Sequence, residues 1–282
     1  MDIALVVDAE HLTTSENARL LAPALAARGL DARLIAWDDA AMDWSLPRVT
    51  VIRATWDYHL RREEFLRWAE RASALTALWN PLALLRWNTH KSYLRDLRER
   101  GVRIVPTVWL PRGAEADLPG LLAREGWTAA VVKPAVSASA FATMLVTPET
   151  LAAGQAHLTE SLSSRDMMVQ PYLSAVVTEG ERSLVYIDGQ LTHTVRRAPA
   201  LSAVADEWNW DRLVANDPAE DAFASAALER VGQRVLYARV DLVRDDAGNL
   251  CLMELELVEP SLGLDLAPSA AERFAEAIAA RL

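Results

Sequence analysis

The chain has 282 residues, 51% of them hydrophobic and 24% charged, with a formal net charge of −10. That length and apolar content allow one large α/β unit or two to three small lobes and exclude a disordered chain. The acidic balance, without a long basic run, argues against nucleic acid or an anionic membrane surface as partner. The N-terminus lacks the basic start and apolar stretch of a signal peptide, and no run of about 18 uncharged apolar residues is present, so a cytoplasmic location is expected.

Residues 3–7 form an apolar strand candidate, followed by a helical stretch over 15–28 that Gly29 closes. Strands are predicted at 32–37 and 49–53, and an amphipathic helix at 61–74 with Phe65, Trp68 and Ala72 on one side. This alternation predicts a small open parallel sheet. A helix over 91–100 follows, with Asn88 or Thr89 as N-cap and Gly101 as stop. Next come an extended run at 102–109 broken at Pro106, a helix near 117–125 and an apolar strand at 129–133. Residues 141–146 read as that strand's hairpin partner and 148–161 as a helix.

Beyond Met167 the chain is strand-rich. Strands are predicted at 167–172, 182–187 and 190–195, the last two joined by the tight turn Asp188-Gly189. In an unbroken register Glu181 faces Arg196 and Ser183 faces Thr194. Residues 199–218 have no clear period and read as a loop. A long helix over 219–236, strands at 237–243 and 250–257, and a closing helix at 268–282 complete the chain.

Two scarcities narrow the chemistry. None of the 11 glycines cluster, which excludes the GxGxxG fingerprint and the P-loop. Among 29 basic residues only Lys91 and Lys133 are lysine. A compact ammonium cannot be exchanged for a planar guanidinium at a tight phosphate site, so these two positions are candidates for such a role. Lys133 ends an apolar strand before Pro134 and a loop of small residues, whose amides could approach an anion closely.

Strand alternation puts Glu254 and Glu256 on one face, and the preceding hairpin brings Asp241 opposite Met253–Glu254 to within one residue. Three carboxylates on one surface are either a solvated sheet face or a site for a hard divalent cation. The five histidines lack paired ligand spacing. His193 is either a substrate contact or a satisfied structural histidine. Cys251, the single cysteine, reads as a buried, inert thiol. No GxSxG elbow occurs.

Lys91 opening a helix, Lys133-Pro134 ending a strand, the segment 169–173, Gly180-Glu181-Arg182-Ser183, Arg239-Val240-Asp241 and Glu254-Leu255-Glu256 together resemble the ATP-grasp superfamily along nearly the whole chain. The segments at 53–58, 79–81, 87–88 and 132–137 are similar to its branch of D-cycloserine synthetase and relatives of glutathione synthetase.

The resemblance implies an α/β ATP-grasp fold: a Rossmann-like pre-ATP-grasp lobe at 1–88, a small α+β lobe at 89–166 and a C-terminal α+β lobe at 167–282, the last two clasping ATP. It further implies that Lys91 and Lys133 contact the ATP phosphates, with the 137–142 loop, Ser137 and Ser139 included, folding over them. Gln170, Pro171, Tyr172 and Leu173 would form the adenine hinge and Glu179 a ribose contact. Asp241, Glu254 and Glu256 would hold Mg²⁺ or Mn²⁺, and Arg239, with Lys133, would act in catalysis. Arg53, Thr55, Trp56 and Asp57, together with Glu181, Ser183, His193 and Arg196, are the candidate substrate contacts; the 53–58 segment could equally be a packed aromatic corner.

The activity so implied is a carboxylate–amine ligase acting through an acyl phosphate on small molecules, as a monomer or homodimer. Three departures stand against the resemblance. The phosphate loop lacks glycine, Glu256 stands where the superfamily commonly has Asn, and 205–210 replaces a Gly-Asp-Phe-Arg-like segment. A nucleotide-binding module without catalysis and a small-molecule kinase are the alternatives.

Overall fold

The computed structural model describes residues 1–198 and 211–282. The calls made above on 199–210, including the segment 205–210, lie outside the described residues.

β1 (Ile3–Val7) is apolar at every position because both of its faces are covered. Ile3 and Leu5 pack towards α1 (Ala22–Ala26), and Ala4 and Val6 pack towards the opposite layer. The helix expected over 15–28 forms as a π-helical turn at Asn17–Leu21 that runs into α1. β2 (Ala32–Ala36), β3 (Val49–Ala54) and β4 (Ala77–Trp79) join β1 in a parallel sheet of order β2-β1-β3-β4. The helix α2 (Arg62–Ser73) buries Phe65, Trp68, Ala69 and Ala72 against it, with Trp37 and Trp44 in the same cluster.

Two short helices follow, α3 (Leu82–Asn88) and α4 (Tyr93–Glu99). Asn88 is therefore not an N-cap: it ends α3, and its amide donates to Leu255 O and accepts from Leu257 N, both at 2.8 Å. Asn80 does the same for Tyr237 O, Leu257 O and Leu236 N. These buried amides satisfy backbone groups that would otherwise be orphaned at a sheet edge.

The second sheet contains β5 (Val108–Leu110), β6 (Ala130–Pro134), β7 (Met144–Val146) and β8 (Met167–Pro171), in the order β5-β8-β6-β7. α5 (Leu118–Glu125), capped by Asp117, and α6 (Leu151–Leu162) cover one face. β8, expected to open the C-terminal lobe, pairs here instead, so sheet membership changes after residue 171. β7 starts three residues later than expected, because Ser139, Ala140 and Ala142 take left-handed backbone angles incompatible with a strand.

After α7 (Ala175–Thr178), the third sheet is antiparallel. It consists of β9 (Glu181–Ile187), β10 (Gln190–Arg197), β11 (Arg212–Val214), β12 (Tyr237–Arg244) and β13 (Leu250–Glu256), in the order β11-β10-β9-β12-β13. The helix expected over 219–236 is shorter, α8 (Pro218–Glu229), ending just before Gly232 at φ +74°. α9 (Pro268–Ala279) packs Phe274 and Ile278 between the first and third sheets.

The β9–β10 register is corrected by a bulge. Gln190 and Leu191 pair as expected with Ile187 and Tyr186, but the register slips by one between Leu191 and His193. Thr192 sits at the slip and donates to Val185 O at 2.9 Å. Glu181 consequently faces Arg197, not Arg196, and Ser183 faces Val195, not Thr194.

Candidate active site

Beyond the bulge between Asp241 and Leu242, Leu242 and Leu252 return to the core, while Arg239 and Asp241 on β12 line a cleft of about 620 Å³ between the second and third sheets. Glu254 and Glu256 on β13 line the same cleft, and the register sets Asp241 opposite Glu254 and Arg239 opposite Glu256. The Arg239 guanidinium donates to Asp241 Oδ1 and Oδ2 at 2.9 Å and also to Glu256. Ser183 Oγ donates to Asp241 Oδ1 at 2.6 Å. Burial opposes the charge on Asp241, but Arg239 outweighs it and holds the carboxyl below its usual range. Glu256 is pushed up to about 7 by burial and by its carboxylate neighbours. The expected solvated sheet face is thus excluded.

Lys91 enters from the loop between α3 and α4. Its backbone N–H donates to Ala135 O at 2.7 Å, and Nζ reaches Ser137 O at 3.1 Å and Glu254 Oε1 at 2.5 Å. Lys133 stands at the end of β6 in the opposite wall. Its ammonium has no hydrogen bond or ion pair among the described residues, and burial holds its pKa below the ordinary lysine value. A half-buried cation in that state is a site for an anion.

Among the described residues, no three His, Cys, Asp or Glu side chains gather as a ligand set for one ion. Magnesium is ordinarily held by one or two carboxylates together with substrate phosphate oxygens and water. The hard oxygens of Asp241, Glu254 and Glu256 fit an ion that arrives with a phosphate, rather than a resident protein-only metal centre.

Ser137, Ser139, Gln170, Pro171, Tyr172, Leu173, Glu181 and Trp56 also line the cleft. Gln170 is oriented by donation to Thr107 Oγ1 at 2.9 Å. Glu181 is pushed up to about 8, by burial first and then by Asp241. Other candidates fall elsewhere. Glu179 is exposed and approaches Arg244 at 3.8 Å. Arg53 is fully buried over the Tyr237 and Phe274 rings and donates to Pro260 O. Thr55 is buried beside it, and Asp57 takes Trp37 Nε1 and Arg61. His193 is held between Thr192 and Leu262 O, and Arg196 turns to Thr178 O. Cys251 is buried, its thiol pushed up to about 11 by burial, as expected of an inert cysteine.

The bulge delivers Arg197 to the cleft, and the residues overlooked in the sequence are Glu259 and Ser261, which follow β13. The Glu-Pro pair directly after a carboxylate-bearing strand end was the available signal for Glu259.

Residues 3–80 match the family model of the D-cycloserine synthetase DcsG N-terminal domain. Over 296 aligned residues the chain is 32% identical to the cycloserine biosynthesis protein DcsG of Streptomyces lavendulae, covering 99% of this chain and 98% of that one. The chain belongs to the DcsG family of ATP-grasp ligases. A crystal structure of D-cycloserine synthetase DcsG superposes with a TM-score of 0.92 at 30% identity, covering 100% of this chain and 99% of that one. A RimK-domain ATP-grasp protein from Sphaerobacter thermophilus (TM-score 0.73, 21% identity, 100% and 99% covered) and the D-alanine–D-alanine ligase of Bacillus anthracis (0.68, 14%, 100% and 97%) share the fold. As a DcsG-family member the protein is an ATP-dependent ligase, and its three sheets are those of the ATP-grasp fold. No helix among the described residues is long and apolar enough to cross a membrane.

Proposed function

We propose that the protein uses ATP and Mg²⁺ to convert a small-molecule carboxylate into an acyl phosphate, which an amine-type nucleophile attacks, releasing ADP and phosphate. The observation that carries this reading is the unpartnered Lys133 ammonium, which faces the Lys91–Glu254 pair and the Arg239–Asp241–Glu256 cluster across one cleft. One unpaired cation facing a cluster of paired cations and carboxylates suits a phosphate chain that carries its own divalent ion. When bound, one or two Mg²⁺ ions would neutralise charge on the phosphates, each drawing one or two protein oxygens from among Asp241, Glu254 and Glu256.

Lys91 and Lys133 bind the phosphate oxygens, and the 137–142 loop closes over them. Gln170 to Leu173 form the hinge beside the base. Arg239, fixed by Asp241, presents its guanidinium where charge accumulates on the transferring phosphoryl group. Glu181 and Trp56 border the acceptor side. Similarity to a D-cycloserine synthetase favours a small, amino-acid-like substrate over a peptide.

The test is calorimetric titration of ATP with and without Mg²⁺, followed by phosphate-release screening of small amino acids as acids and amines. Micromolar binding strengthened by Mg²⁺, with phosphate release that needs both acid and amine, is the expected result. A phosphorylated product that survives added amine overturns the ligase reading in favour of a kinase; nucleotide binding with no phosphate release from any pair overturns it in favour of a binding module.

A further inference from the structure

The segment following β13 is held in an unusual way. Tyr237 Oη donates to Val258 O at 2.7 Å, and Trp56 Nε1 donates to Glu259 O at 2.9 Å. Arg53 Nη2 donates to Pro260 O at 3.0 Å, and Arg239 and Arg197 both donate to Ser261 O at 3.2 Å. The next carbonyl, Leu262 O, is 2.8 Å from His193 Nε2. Five consecutive carbonyls are thus each met by a side chain, contributed from the first sheet's β3 side and from the third sheet. Several residues expected to touch substrate serve this segment instead.

What so rigid a segment displays is one carboxyl group. The Glu259 side chain lines the cleft, the residue is only 8% exposed, and no hydrogen bond or ion pair reaches its carboxyl among the described residues. A largely buried carboxyl that takes no hydrogen bond or ion pair is costly in a structural role, because Lys91 and Arg239 offset its desolvation only in part. The Glu259 backbone carbonyl is held by Trp56, which on the reading above borders the acceptor side of the cleft.

We propose that Glu259 is the residue that receives the proton of the attacking amine. The inference rests on the ligase reading above. The nitrogen lone pair forms the C–N bond to the acyl carbon, the C–O bond to phosphate breaks, and phosphate leaves with that electron pair. The proton lost from nitrogen passes to a Glu259 carboxylate oxygen. Burial, then Glu256 and Glu254, raise the proton affinity of this carboxyl, while Lys91 and Arg239 oppose them. Tyr58, Arg53 and Tyr237 are the other titratable groups that feel its charge. A carboxyl so placed is a stronger base than a solvated one.

The test compares wild type, Glu259→Gln and Glu259→Asp with the acid–amine pair that gives phosphate release in the screen, and with hydroxylamine, which is largely unprotonated at neutral pH, in place of the amine. Amine-dependent release should fall about 10² to 10⁴-fold in Glu259→Gln, with ATP affinity and the melting temperature retained. Hydroxamate formation should fall far less, Glu259→Asp should recover part of the loss, and the acid limb of the wild-type pH–rate profile should vanish in Glu259→Gln. Equal losses with both nucleophiles, or none with either, overturn the proposal while leaving the ligase reading standing. A wild type that releases phosphate with no pair overturns that reading, and this proposal with it.

Discussion

Lys91 Nζ lies 2.5 Å from Glu254 Oε1, so the lysine proposed to bind phosphate and the carboxylate proposed to bind metal neutralise each other in the cleft. Both gain from the contact: burial opposes each charge, but Glu254 holds Lys91 above its ordinary value and Lys91 holds Glu254 below. A divalent ion held by Glu254 would compete for that carboxylate and leave the ammonium to the phosphates. Mg²⁺ should therefore strengthen ATP binding in wild type. In Glu254→Gln the lysine is already released, and the Mg²⁺ enhancement should shrink by at least about tenfold, the worth of one charged contact of about 1.5 to 3 kcal/mol. Titration calorimetry of ATP with and without Mg²⁺ checks this; an undiminished enhancement would mean that the pair does not gate the site.

Lys133 presents the opposite case, a half-buried cation with no carboxylate in ion-pair contact, whose desolvation outweighs the attraction of Glu254, Glu181 and Asp241. Lys133→Met removes a charge whose burial is only partly compensated, so the melting temperature should not fall. Turnover should drop at least about a hundredfold, as for loss of a group that stabilises transition-state charge. Circular-dichroism melts and phosphate release read the two effects separately. Unchanged turnover removes the assigned role.

Glu181 gives the fold a pH dependence. Its pKa in the folded protein is about 8 against an ordinary 4.5. Between those values the folded state holds a proton that the unfolded state has released, so the contribution to stability is full below about 4.5 and is lost as pH rises through 8. The melting temperature should decline from pH 5 to 8 in wild type, and the decline should be shallower in Glu181→Gln, which stays neutral throughout. A Glu181→Gln variant whose curve parallels wild type would place the titration elsewhere.

The sheets and most helices were legible because their apolar periods are strong: the all-apolar 3–7 strand and the Phe65, Trp68, Ala72 stripe could only be a covered strand and a packed helix. The partner of Asp241 was readable to within one residue: the turn alone sets it opposite Met253, and the bulge between Asp241 and Leu242 moves it to Glu254. What escaped were long-range uses of polar side chains. Asn88 looks like a cap locally and proves to be a clamp on Leu255 and Leu257, 167 and more residues away. Arg53, Trp56 and His193 were singled out for their chemistry, but their partners are backbone carbonyls that no local pattern reveals.

The strained backbone of the 137–142 loop can be tested directly. Ser139, Ala140 and Ala142 sit at φ of 49°, 55° and 51°, a region that costs an L residue roughly 1 to 2 kcal/mol. Ala140→Gly relieves that strain at the price of a more flexible unfolded chain. Its net effect should be neutral to stabilising by up to about 1 kcal/mol, whereas Ala140→Val should destabilise. Urea unfolding distinguishes them, and a clearly destabilised Ala140→Gly would contradict the strained backbone.

The bulge at Thr192 separates two adjacent arginines that the sequence alone treats alike. Arg197 Nε donates to Ser183 Oγ at 3.0 Å, and Ser183 in turn donates to Asp241; Nη2 reaches Ser261 O, and Nη1 lies 3.2 Å from Asp211. Arg196 points to the other side of the hairpin, against Gly180 and Thr178 O. Had the hairpin run without the slip, these positions would be exchanged. Arg197→Ala leaves Ser183 without its donor and loosens both Asp241 and the Ser261 carbonyl, so turnover should fall about 10 to 100-fold, as expected for a charged hydrogen bond of about 1.5 to 3 kcal/mol. Arg196→Ala should stay within about threefold of wild type, as a change away from the cleft. Deleting Thr192, the residue that the ladder skips, should straighten the strand while leaving Arg197 opposite Glu181, with turnover staying well above that of Arg197→Ala. Steady-state phosphate release on the three variants reads the outcome, and equal sensitivity at 196 and 197 would show that the slip does not decide which arginine serves the site.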